Sequence, residues 1–120
     1  MGLLVDALHW KRSGGSVADV AALPREWLSY VQLCDAPEPG ADPSDPDAIL
    51  TEAIDGRVPL GQGGLPLSRL LDQLPFGIPI SIEERSQALR DGFPDLSARA
   101  TELYRTSHAW LNRYLEHQEV

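Results

Sequence analysis

Tyr30-Val31-Gln32-Leu33-Cys34-Asp35-Ala36-Pro37 is the stretch that decides the fold. It reads as a short strand whose C-terminal end runs directly into a turn. Strand side chains alternate, so Tyr30 and Gln32 share one face while Val31 and Leu33 share the other. An amide in the middle of such a run needs partners, because a buried polar group left unpaired costs about 1–3 kcal/mol. Two other apolar runs end in the same way. Leu3-Leu4-Val5-Asp6 stops on an acid, with His9 three residues later, and Pro79-Ile80-Ser81-Ile82-Glu83 also stops on one. Each run thus delivers an oxygen-bearing side chain at or near its end.

The segments between these runs read as helices and loops. Leu3-Leu4-Val5 is apolar on both faces, as in a strand covered on both sides within a parallel sheet. Lys11 to Gly15 reads as a polar turn, and Ser16 with Asp19 caps a short helix through about Ala22, ended by Pro24. Ala36 to Pro46 holds four prolines and several acids and reads as a surface loop. Asp47–Ile54 is weakly helical. Pro66 suits the first position of a helix whose Leu67, Leu70, Leu71 and Leu74 recur at i, i+3, i+4, i+7. A final helix over about Asp95–His117 places Leu96, Ala100, Leu103, Ser107, Trp110, Leu111 and Tyr114 near one face. The order, βα-βα-βα, predicts a single α/β domain over residues 1–120 with parallel strands and ligands at their C-terminal ends.

Composition narrows the function classes. The 120 residues carry a net charge of −8, which opposes a phosphate-backbone binder needing a basic face. No apolar run approaches the ~20 residues of a spanning helix, and the N-terminal residues lack the basic region of a signal peptide. The expectation is a cytoplasmic protein without nucleic-acid or membrane partners. Cys34 is the only cysteine, which rules out an internal disulfide and a cysteine zinc site, and it reads as a small buried filler.

Asp6, Gln32 and Glu83 are the candidate metal ligands, since parallel packing gathers strand-end side chains on one rim. An all-oxygen set favours a hard or borderline ion: Mg²⁺, Mn²⁺, Co²⁺ or Zn²⁺. The alternative is that Asp6 caps a turn, Gln32 bonds backbone and Glu83 is solvated. His9 suits proton transfer or polarisation near neutral pH. Arg57 is read as an exposed residue able to meet an anionic substrate group. Asp35 reads as a loop-capping residue, and Gly61-Gln62-Gly63-Gly64 as a flexible lid or a plain connector. That loop lacks the Lys-Ser/Thr of a phosphate-binding loop.

With those residues in view, the chain resembles the C-terminal portion of the sugar phosphate isomerase/epimerase family, the xylose isomerase-like TIM barrels. The resemblance is carried by Leu4-Val5-Asp6-Ala7-Leu8-His9, Tyr30–Ala36, Gly61–Leu67 and Ile80-Ser81-Ile82-Glu83. It implies a partial (β/α)8 barrel of about three βα units, against the eight strands and about 250 residues of a whole one. It implies Asp6, Gln32 and Glu83 as metal ligands, His9 as a substrate-contacting residue, and a fourth ligand, a Glu from a preceding strand, that has no counterpart here. Many relatives carry His where Gln32 stands; the Gln form is similar to a dehydroshikimate-dehydratase-like branch and leans the site toward Mn²⁺ or Mg²⁺. The implied reaction is proton abstraction next to the carbonyl of a hydroxy-ketone or sugar, the vicinal oxygens held on the cation and the proton moved by Glu83. The competing expectation is a non-catalytic fragment that self-associates, or that complements an N-terminal half-barrel through its bare strand edges.

Overall fold

The computed structural model describes residues 2–118. In chain order they form β1 (Leu3–Asp6), α1 (Ala7–Arg12), α2 (Val17–Ala21), a 3-10 turn (Arg25–Trp27), β2 (Leu28–Leu33), α3 (Pro46–Asp55), α4 (Leu67–Asp72), β3 (Ile80–Ile82), α5 (Gln87–Gly92) and α6 (Leu96–Gln118). The three strands make one parallel sheet in the order β1-β2-β3. The expected α/β class and parallel strands are present.

β2 is the central strand because its two faces differ. Val31 and Leu33 are fully buried against the helices, while Tyr30 stands 39% exposed on the opposite face with Gln32. Asp6 pairs in register with Gln32, and Gln32 with Ser81, so strand-end polar groups line up in one row. Beneath the sheet, Leu8, Leu33, Leu67, Leu70, Leu71 and Leu74 form the heart of the core, and the leucine stripe of α4 faces inward as its spacing predicts. Asp45 caps α3 through the amides of Asp47 and Ala48, and Pro46 occupies its first turn.

Several expectations change on contact with the tertiary structure. β1 is not covered on both sides: Leu4 is 42% exposed, as is its register partner Tyr30 at 39%, because that face of the sheet is open among the described residues. Helix α1 occupies Ala7–Arg12, so the turn begins at Ser13 rather than Lys11, with Gly14 taking a φ of 87°. Asp6 starts this helix by accepting the His9 amide at 3.0 Å. α5, with Ser86 as its cap, has too short an apolar pattern to read from sequence. The first turns of α6 carry Leu96 (75% exposed) and Ala100 outward, and contact with the body is made from Leu103 onward, through buried Ser107 and the partly buried Trp110, Leu111 and Tyr114. Of the expected surface loop Ala36–Pro46, Ala36 is fully buried and Pro46 opens α3; Pro37 to Asp45 lies at the surface, yet it is fastened. Arg12 forms a two-pronged ion pair with Glu52 (Nε–Oε1 2.6 Å, Nη2–Oε2 3.2 Å), and Glu52 also accepts the Ala41 amide at 3.1 Å.

Glu84, two residues past β3, is buried, and its Oε1 has no hydrogen-bond partner among the described residues. Burial first, then the Glu102 charge on α6, pushes its pKa up to about 7. A carboxyl raised on folding is bound more tightly by protons in the native state than in the unfolded one, where the ordinary value is 4.5. This group's contribution to stability is therefore largest below about pH 4.5 and falls as pH rises through about 7. Glu84→Gln is expected to flatten the dependence between those limits and to add on the order of 1–3 kcal/mol at pH 8. Urea unfolding of both proteins at pH 5, 6, 7 and 8 reads it; parallel curves with no gain at pH 8 would refute it.

Candidate metal centre

The three strand-end side chains singled out in the sequence come together at one rim. Gln32 Nε2 lies 3.0 Å from Asp6 Oδ2 and donates a second, short bond to Glu83 Oε2. The amide must present its nitrogen here, since its oxygen would meet two carboxylate oxygens with no proton between them. Each side chain reaches the rim for a local reason. Asp6 is the last residue of β1 and the cap of α1, Gln32 projects from the polar face of β2, and Glu83 follows β3, with its amide donating to Leu33 O at 3.0 Å.

Arg57 is the hub beneath them. The sequence reads it as exposed, but only 2% of it is accessible. Nε donates to Ala53 O at 2.9 Å, and Nη1 to Asp6 Oδ2 at 3.0 Å and Glu83 O at 3.2 Å, with Cys34 Sγ at 3.6 Å. Nη1 lies 3.8 Å from Glu83 Oε2, and Nη2 faces His9 Nε2 at 3.3 Å. The reason for the burial is the turn after α3. The Arg57 amide donates to Arg85 O at 3.1 Å, which folds the side chain inward under β2 and β3. Nothing in the local pattern marks this residue, because its partners lie 26, 48 and 51 positions away.

The electrostatics follow from these contacts. Burial alone pushes the Asp6 carboxyl up, but the His9 amide, the Gln32 amide and Arg57 together outweigh it and hold its pKa below the usual carboxylate range. Arg57 loses solvation yet is held firmly charged by Asp6. Burial pushes the Cys34 thiol up to about 11, in keeping with an inert filler. An open cleft of about 610 Å³ beside the rim is lined by Leu4, Asp6, His9, Trp10 and Ile49 among others.

Whether the rim suits a cation is decided by its donors. The Gln32 amide lies within one hydrogen bond of each of two carboxylates, and neighbouring oxygens around a Mg²⁺-sized ion are likewise about 3 Å apart. The set fits a hard divalent ion once Gln32 turns its amide to present Oε1. It supplies two acids only: among the described residues no three His, Cys, Asp or Glu side chains are placed to hold a metal. Arg57 also keeps a positive charge against Asp6.

Asp35 caps a loop, as its sequence position suggests, and does so thoroughly. Its carboxylate accepts the amides of Ala36 at 2.9 Å, Gly61 at 2.9 Å and Leu65 at 3.0 Å, and the Gly64 amide reaches Ala36 O at 2.8 Å. A Cβ on Gly63 would meet Ala36 O at 2.2 Å, so only glycine fits there. The Gly61–Gly64 segment is thus a pinned connector, not a lid. His108 and His117 lie exposed on α6, away from the rim.

No family model matches the chain, and no curated protein matches it. Solved structures do. The IolI protein with a binding zinc atom superposes with a TM-score of 0.68 and 20% identity over 97% of this chain and 38% of that one. A xylose isomerase-like TIM barrel/4-hydroxyphenylpyruvate dioxygenase fusion protein superposes with a TM-score of 0.59 and 22% identity over 72% of this chain and 13% of that one. The chain spans about 38% of the length of the first of these neighbours. Among the described residues no helix is long and apolar enough to cross a membrane. In fold, then, the chain is about three parallel βα units, part of a TIM barrel.

Proposed function

We propose that the chain carries the late-strand part of a divalent-metal centre for proton abstraction next to a carbonyl, in an isomerase, epimerase or dehydratase acting on a hydroxy-ketone or sugar. The convergence of Asp6, Gln32 and Glu83 within one hydrogen-bond network supports this reading most directly. The zinc in the IolI neighbour agrees with a divalent ion. Asp6, Gln32 and Glu83 would hold the ion, with Mn²⁺ or Mg²⁺ favoured over Co²⁺ or Zn²⁺ by the all-oxygen donors. When bound, such an ion neutralises charge developing on substrate oxygens. The chain's own residues do the rest. Glu83, 43% exposed in its side chain, is the carboxylate free to move a proton, and His9, exposed beside it, is a hydrogen-bonding group for substrate. The dehydroshikimate-dehydratase-like branch stays part of this proposal. The test is calorimetric titration of Mn²⁺ into metal-free protein. Micromolar binding is expected in the wild type and at least tenfold weaker binding in Asp6→Asn, which keeps the shape and removes the charge; equal affinity in both would end the reading.

A second reading rests on the sheet edges. Among the described residues β1 and β3 each have one unpaired edge. Beside β3 lies an apolar cleft of about 520 Å³ lined by Phe76, Ile78, Ile80, Leu111 and Leu115 among others, with Phe76 96% exposed. Free edges beside exposed apolar groups recruit further strands. In this reading the chain is completed by the remaining strands of a barrel, from an N-terminal segment or a second copy. Sedimentation velocity is expected to show concentration-dependent self-association, and a monomer at every concentration would exclude the second-copy form.

A further inference from the structure

We infer that Arg57 is a positioning residue that fixes the tautomer of His9, leaving Nε2 as a lone-pair acceptor and Nδ1 as the nitrogen that carries the proton. The argument starts from the donor inventory. A guanidinium has five N–H donors and no acceptor, and it stays charged at any physiological pH. Its Nη2 sits 3.3 Å from His9 Nε2, so that ring nitrogen meets it only as an acceptor. In a neutral imidazole the proton is then on Nδ1.

The geometry leaves Arg57 little freedom to yield. Nε is tied to Ala53 O and Nη1 to Asp6 Oδ2 and Glu83 O, which fixes the plane of the fork and aims Nη2. The His9 backbone is held as well, since its amide donates to Asp6 Oδ1. One guanidinium therefore orients both an acid of the rim and the neighbouring ring. Among the described residues His9 Nδ1 makes no hydrogen bond, and His9 is exposed. The free functional group of His9 is thus an N–H donor. On the reading proposed above, His9 donates a hydrogen bond to a substrate oxygen, and the proton next to the carbonyl is left to Glu83. This division of labour rests on that reading; the tautomer itself does not.

The experiment is a long-range imidazole ¹H–¹⁵N correlation spectrum of the full chain, ¹⁵N-labelled and metal-free, in mildly alkaline buffer where imidazoles are neutral. His9→Asn identifies the His9 pattern among the three histidines. The expected wild-type pattern is a protonated Nδ1 and a lone-pair Nε2. Arg57→Met is expected to move the proton toward Nε2, and Arg57→Lys, which keeps a charged donor, to restore part of the wild-type pattern. Nε2 protonated in the wild type overturns the inference, as does an unchanged pattern in folded Arg57→Met. Should Arg57→Met fail to fold, the wild-type pattern decides alone. The spectrum contains no metal, so the inference and the metal-centre reading fail separately. The expected tautomer without Mn²⁺ binding sinks only the latter, and Mn²⁺ binding with the wrong tautomer sinks only the former.

Discussion

Asp35→Ala is expected to lower the unfolding free energy by about 3–5 kcal/mol, a large share of the 5–15 kcal/mol typical of a domain. The carboxylate accepts three backbone amides, two of them in buried bonds, from Ala36, Gly61 and Leu65. Removing it leaves these donors with no acceptor where water has poor access, at about 1–3 kcal/mol for each such group. The Gly61 and Leu65 amides also hold the connector between α3 and α4, so the loss spreads to the Leu60 and Leu65 contacts with the core. Asp35→Asn retains one acceptor oxygen and turns a donor toward the remaining amides, so an intermediate loss is expected. Urea denaturation of the three proteins measures this, and a loss below about 1 kcal/mol for Asp35→Ala would show that the loop holds without its cap.

Glu83→Ala is expected to weaken Mn²⁺ binding by more than about 100-fold while leaving the fold intact. Changes behind metal ligands already cost 10–100-fold, and on the metal-centre reading proposed above this change removes a ligand outright. Stability is spared for a geometric reason. The Glu83 side chain is 43% exposed, and Arg57 takes its main hold on this residue through the backbone carbonyl, which any residue supplies. Asp6→Ala contrasts with it. There the buried Arg57 loses its closest carboxylate and α1 loses its cap, so metal binding and stability fall together, the latter by about 3–5 kcal/mol. Titration calorimetry paired with thermal melts separates the two variants. Equal melting temperatures for both would mean that Arg57 finds another partner and is no hub.

Local pattern carried the elements that bury a regular face. The leucine stripe of α4 and the alternation in β2 were legible because periods of 3.6 and 2 residues are written in adjacent letters. The rim was legible for the same reason, as Asp6 and Glu83 each close an apolar run and Gln32 interrupts one near its end. Helices α1 and α5 were not, since α1 runs straight on from the apolar letters of β1 and α5 holds only Ala88 and Leu89 as apolar residues. The outward turn of Leu96 was hidden too, because a helix's apolar stripe does not say how far along it the partner extends.

The sequence by itself determined the α/β class, the parallel arrangement and the three strand-end side chains that point one way. Only the tertiary structure decided what those side chains do to one another. It turned Arg57 from a surface cation into a buried hub, made the Gln32 amide a donor between two acids, and converted the glycine loop into a pinned connector. The physical reason is range. A period is set by neighbours a few residues apart, whereas charge pairing and burial at this rim depend on residues 26 to 51 positions distant, which only the closed sheet brings within hydrogen-bond reach.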